Sequence, residues 1–176
     1  FEAGCSRHAR QVFLPWPGFQ GNDSALYDLP NFDEAQAISE RFHPTWAKLR
    51  DSHRKLHGRN AYQVLGFNLR QPARFVLCWT PDGVEDGRQT TWDTGGTGQA
   101  IRIAAHYGIP VFNMQRPDAL DRLAAFLKKE GPQPKPSEHW RWHEDGSTPP
   151  ADGSSVFVFG SNLAGRHGKG AALAAK

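Results

Sequence analysis

The sequence predicts an α/β protein, a parallel sheet with helices on both faces, and three observations lead there. Short apolar runs alternate along the chain with longer stretches whose apolar residues recur at helical spacing. One of the runs, residues 74–80 (RFVLCWT), is almost continuously apolar, as a strand covered by helices on both sides must be. Glycine-rich turns stand where a strand hands over to a helix, at Thr94, Gly95, Gly96, Thr97 and Gly98 and again over residues 161–170.

Each element follows in order. Residues 1–10 read as the last turns of a helix, so the chain is expected to be a fragment whose first strand lies upstream. Residues 11–16 (QVFLPW) read as a strand closed by Pro15 and Pro17, with a loop rich in Gly, Asn and Asp after it. A helix over 32–42 presents Ala35, Ile38 and Phe42 on one face. His43-Pro44 interrupts it, because a residue before proline avoids the α region, and a second helical stretch runs over 44–50. Residues 52–66 suit a helix with Leu56, Tyr62 and Leu65 inward. After the strand at 74–80, Asp82-Gly83 marks a turn, and the turn at 94–98 opens a helix over 99–106 that Gly108 ends. A strand over 109–114 and an amphipathic helix over 118–129 complete the first domain, residues 1–130. Residues 131–153, with Pro132, Pro134, Pro136, Pro149 and Pro150, have the composition of a linker. Residues 154–176 then open a second α/β domain with one strand, a glycine-rich loop and the first turns of a helix.

Composition narrows the class. Hydrophobic content of 38%, six Trp and eleven Phe argue for a packed core rather than disorder. No apolar run approaches the ~20 residues of a membrane helix, and no signal peptide opens the chain. Cys5 and Cys78 lie far apart without CxxC partners, which suits free thiols in a reducing cytoplasm and argues against a zinc site. His139 and His143 sit four apart beside Trp140 and Trp142, but with no third ligand near them the expectation is a linker without metal. The net charge of +3 permits polyanionic ligands without requiring nucleic acid. Arg41, Lys48, Arg50, His53, Arg54, Lys55, His57 and Arg59 do cluster, either as a solvated helix face or as a surface for phosphates.

The turns carry the chemistry. Gly95, Gly96 and Gly98 let backbone approach a ligand closely, and the unpaired amides opening the next helix favour an anion. Thr94 and Thr97 add hydroxyl donors. Arg59 offers a guanidinium that grips a phosphate with two parallel hydrogen bonds, and Asn60 can donate to and accept from a ribose or a base. An exposed helical arginine with a capping asparagine explains the same pair without any ligand.

The run Leu56-His57-Gly58-Arg59-Asn60, then RFVLCWT, then GGTGQAIRIAAHYGIPVFNM, resembles the SLOG superfamily. That Rossmann-like group contains the DNA-processing (DprA/Smf) proteins and the Lonely-guy (LOG) phosphoribohydrolases. The phage and prokaryotic branch carrying LPWPGF, HP, RNAYQVLG and CWTPDG is the most similar, and the resemblance spans about residues 1–130. It implies a Rossmann-like sheet, a further glycine-rich turn upstream, and Glu2 near the site. His57-Gly58-Arg59 matches the family's His-x-Arg segment. If Gly96-Thr97 aligns with the family's Gly-Thr, Gln99 stands where LOG enzymes carry a catalytic glutamate. Glutamine cannot ionise, which favours binding without hydrolysis and no catalytic residue. Residues 154–176 are similar to the start of a phage macro-like module, which implies an ADP-ribose-like ligand facing Asn162, Gly165, Gly168 and Gly170.

The expectation is therefore a cytoplasmic module that binds or senses a nucleotide-like small molecule, with no cofactor and no membrane partner. Phage–host conflict is the setting the resemblance implies. Arg59, Thr97 and the amides of 95–98 take the phosphate, Asn60 bonds the ribose or base, Trp16 or Phe19 stacks on the base, and Thr94, Gln99 and Glu2 also line the ligand site. A nucleoside-monophosphate phosphoribohydrolase, with Glu2 or Asp93 as its carboxylate, and single-stranded DNA binding are the alternatives. Nothing in the sequence selects between a monomer and a homo-oligomer.

Overall fold

The computed structural model describes residues 10–130 and the two-residue strand 157–158. The helix expected at 1–10, the linker with His139 and His143, Glu2, Cys5, and the second glycine-rich loop with Asn162, Gly165, Gly168 and Gly170 lie outside the described residues.

The architecture is mixed α/β. Helices α1 (Phe32–Arg41), α2 (Asp51–Leu65), α3 (Thr97–His106) and α4 (Ala119–Glu130) surround strands β1 (Val76–Cys78), β2 (Val111–Asn113) and β3 (Phe157–Val158). All pairing is parallel, in the order β2-β1-β3, with Val76 opposite Val111 and Phe157. β3 falls in the segment read as the opening of a second domain and is paired with β1.

Side chains alternate across a strand, so β1 and β2 each feed two cores. Val76, Cys78 and Val111 join Ala61, Tyr62, Val64 and Leu65 of α2 and Ala100, Ile101, Ile103 and Ala104 of α3 in the larger core. Phe75, Leu77 and Phe112 face the other way, against Leu123 and Phe126 of α4. The continuous apolar run 74–80 has its cause here: both faces are covered. Burial also pushes the Cys78 thiol up to about 12, with Glu85 and Asp82 acting in the same direction, so it is an inert core group.

Local chemistry sets the helix ends. Asp33 and Glu34 at the start of α1 and Arg41 at its end complement the helix dipole. α2 stops at Gly66, whose φ of 75° takes the chain out of the helix. Gly58 lets α1 approach, since a Cβ there would stand 3.0 Å from the Phe32 ring.

Two expected elements differ. Residues 11–16 do not join the described sheet. Pro15 and Pro17 have no N–H to donate, and the Leu14 amide donates to Leu26 O in the following loop (2.8 Å). The segment still buries Phe13, stacked on Tyr62 with ring centres 5.4 Å apart. The second helical stretch at 44–50 shrinks to a single 3-10 turn, Trp46–Lys48, because Pro44 brings no donor and Leu49 is already extended (ψ 139°). Leu56, expected inward, is half-buried.

Candidate functional site

The turn that opens α3 lies beyond the carboxyl end of β1, at the end of the loop leaving that strand. Gly95 has φ 66°, its amide donates to Trp92 O (3.1 Å), and Gly98 N donates back to Gly95 O (3.1 Å). The three glycines have different reasons to be glycine. Gly95 needs the left-handed backbone. Gly98 is buried, and a Cβ there would sit 3.3 Å from Thr94 Cβ and Cγ2. Gly96 has ordinary helical angles, and a Cβ there would meet only His57 Cε1, at 3.9 Å. Neither backbone nor packing requires glycine at 96. Gly95 and Gly96 are exposed just ahead of α3, and of the amides expected to take a phosphate those of Gly95 and Gly98 are already bonded, to Trp92 O and Gly95 O.

One wall of the turn is neutral and buried. Gln99 of α3 is fully buried; its Oε1 accepts from Asn60 Nδ2 (3.0 Å) and pairs with His57 Nδ1 (3.1 Å), and its Nε2 donates to Ser39 O (3.3 Å). Asn60 Nδ2 also reaches Gly96 O (3.4 Å), and the Ser39 hydroxyl donates to His57 O (2.9 Å). Three helices are thus bolted together behind the turn. Burial pushes His57 down to about 4; the Gln99 hydrogen bond opposes this, while His43, Arg59 and His53 add to it. Gln99 and Asn60, expected to touch a ligand, instead spend their polar atoms within the chain.

Arg59 stands beside that wall. Its Nη2 donates to Asn60 Oδ1 (3.2 Å), and its guanidinium lies 5.9 Å from the centre of the Phe19 ring. Phe19 in turn packs edge-on against Trp16, with ring centres 5.0 Å apart. Arg59 Nε is buried with no hydrogen-bond partner, and among the described residues Arg59 makes no ion pair. Burial lowers its pKa to about 10. A cation whose Nε is shut away from water, with no counter-charge among the described residues, suits an anion beside it.

The opposite wall is charged. Asp82, on the loop after β1, accepts from the hydroxyls of Thr80 (2.6 Å) and Thr94 and from Val84 N (3.3 Å). Thr94, expected as a phosphate donor, is buried and gives its hydroxyl proton to Asp82 while accepting from Thr91 N (2.8 Å). Asn113, at the end of β2, is fully buried; its Nδ2 donates to Thr80 Oγ1 and Val84 O, and its Oδ1 accepts from Thr80 N (3.1 Å). Glu85 accepts from Asn113 N (2.7 Å) and from both terminal nitrogens of Arg122 (2.7 and 3.0 Å).

Of the residues expected at the site, Gly95, Gly96, Thr97, Gly98 and Gln99 form the turn and its helix, with Thr94 beneath them. Asn60 joins the turn, Arg59 joins Asn60, and Trp16 adjoins Arg59 through Phe19. Asp82 and Asn113 had no part in the sequence reading beyond a turn and a strand end. Trp92, 84% exposed and two residues before Thr94, was equally unmarked. An open groove of about 850 Å³, lined by Phe42, Arg88, Arg102, His106 and Pro110 among others, contains none of the expected residues.

Among the described residues, no group of three or more His, Cys, Asp or Glu could hold a metal ion, and no helix is long and apolar enough to cross a membrane. No family model, curated protein or solved structure matches the chain.

Proposed function

We propose that this chain binds a nucleotide-like, phosphorylated small molecule at the turn opening α3, on a Rossmann-like sheet of the SLOG kind, without hydrolysing it. One observation carries the reading: Arg59, a half-buried guanidinium whose Nε is buried without a partner and which makes no ion pair among the described residues, adjoins a glycine-rich helix N-terminus through Asn60 and Gly96. The amides of that turn and the helix dipole favour the same charge as Arg59 does. The open space over Gly96 is where a phosphate reaches the turn, and Trp16 and Phe19 supply the aromatic surface beside it. Binding without hydrolysis is supported by Gln99, an uncharged amide committed to Asn60, His57 and Ser39.

The test incubates the full 176-residue chain with nucleoside monophosphates, ADP-ribose and cyclic nucleotides, then reads nucleotide depletion and free base after ultrafiltration. Depletion of one compound without free base is expected. Arg59→Gln weakens that binding by about tenfold or more, the worth of a charged hydrogen bond. Free base formed in proportion to protein would replace this reading with a phosphoribohydrolase, and unaltered binding by Arg59→Gln would remove its central residue.

A further inference from the structure

The loop between β1 and α3 is tied to the sheet by one continuous relay of hydrogen bonds. Asn113 Nδ2, at the end of β2, donates to Thr80 Oγ1, two residues beyond the end of β1. Thr80 Oγ1 donates to Asp82 Oδ1. Asp82 Oδ2 accepts from Thr94 Oγ1, which itself accepts from Thr91 N. Each hydroxyl gives one proton and receives one bond, so no link is left to compete for. The last member, Thr94, lies directly before Gly95, and its methyl lies against Gly98, where an added Cβ would stand 3.3 Å away. Eleven residues of loop lie between Asp82 and Thr94, and this contact fixes where the loop ends.

We infer that Asp82 and Thr94 form a latch that holds the glycine turn in its anion-receiving shape, making both of them positioning residues for the ligand site. The inference rests on the binding reading above. A helix N-terminus favours an anion through amides pointing in fixed directions, and a small misplacement costs much of that gain. The latch fixes those directions from two strand ends at once. Neither side chain touches the ligand: Thr94 is buried, and both oxygens of Asp82 already accept hydrogen bonds.

Thr94→Val keeps the methyl that packs on Gly98 and removes only the hydroxyl, whereas Thr94→Ser keeps the hydroxyl. Asp82→Asn keeps the shape and loses the charge. Affinity for AMP and for inorganic phosphate would be measured by calorimetry on the full chain, with the thermal midpoint of each variant alongside. Thr94→Val is expected to bind about tenfold more weakly at a nearly unchanged midpoint, and Thr94→Ser to bind as the parent does. The double variant Asp82→Asn/Thr94→Val is expected to be no weaker than the weaker single one, as two ends of one contact must be. Parent-like binding by Thr94→Val, or additive losses in the double variant, overturns the latch and leaves the binding reading standing. A parent chain that holds neither AMP nor phosphate overturns both.

Discussion

The two walls of the α3 turn are both polar, yet they are built on opposite terms. Behind the turn, Ser39, His57, Asn60 and Gln99 form a network in which every member is uncharged at neutral pH and Gln99 is wholly buried. On the strand side, Asp82, Glu85 and Arg122 are charged and partly open to water, and Glu85 neutralises Arg122 with two hydrogen bonds. The contrast explains Arg59. The neutral wall offers it an amide oxygen but no counter-ion, while the carboxylates of the other wall are taken. A carboxylate at 99 would have offered Arg59 a counter-charge in place of a ligand's. The neutral wall keeps the site positive, and the charged wall keeps it in shape.

The largest effect that would break the comparison is at Gln99. Gln99→Leu removes the partner of Asn60 Nδ2, His57 Nδ1 and Ser39 O in one step, all in buried surroundings. Stranding buried polar groups costs about 1–3 kcal/mol each before relaxation, so a loss of roughly 2–4 kcal/mol in unfolding free energy is expected. Urea denaturation measures it. A loss below about 1 kcal/mol would mean that the neutral wall is not a cooperative unit.

Proton uptake separates the walls next. His57 has a folded pKa of about 4 against 6.5 for the ordinary group, so the unfolded chain takes up a proton that the folded chain refuses. Stability from this source is full above about 6.5 and is lost as the pH falls towards 4, by up to roughly 2–3 kcal/mol before screening of the partly exposed ring. His43, which packs on His57 and is also lowered by burial, adds in the same direction, while His53 and Arg59 keep the surroundings positive. Asp82 acts in the same direction but at lower pH: hydrogen bonds from Thr80 and Thr94 outweigh its burial and hold its pKa below 3.8, so its contribution disappears only in stronger acid. Denaturation at pH 7.5, 5.5 and 4.5 should therefore give a slope between 6.5 and 4 that His57→Gln flattens. Parallel profiles for parent and variant would show that the acid sensitivity lies elsewhere.

Periodicity made most of the fold legible. α1, α2, β1, β2 and α4 occur where spacing and the continuous run 74–80 put them, because local pattern and tertiary burial agree there. α3 starts at Thr97, two residues ahead of the expected boundary, since Gly96 already has helical angles. Residues 11–16 misled because an apolar run reports burial, which Phe13 and Leu14 have, and not strand pairing, which two prolines discourage. At the site, residue types were legible but directions were not. Asn60 and Gln99 lie 39 positions apart, and nothing local says that their amides face each other. Asp82-Gly83 read as a turn, which it is, while the bond from Asp82 to Thr94 depends on how the loop folds back.

The smallest expected effect on stability is the sharpest on function. Gly98→Ala pushes a Cβ to 3.3 Å from Thr94 Cβ and Cγ2, and Gly95→Ala forces a side chain into a left-handed φ of 66°, so both disturb the turn itself. Gly96→Ala does neither: its angles suit alanine, and the nearest atom to the new methyl is His57 Cε1, at 3.9 Å. On fold alone, alanine at 96 should be neutral or slightly stabilising, by up to about 0.5–1 kcal/mol, since it restricts the unfolded chain. For an anion seated on the turn the same methyl stands in its path. Gly96→Ala is therefore expected to keep or raise the unfolding midpoint while weakening nucleotide binding by about tenfold or more, as lost contacts worth over 1.4 kcal/mol imply. Equal binding by Gly96→Ala and the parent would move the ligand off this turn and leave the absence of a side chain at 96 without a physical reason.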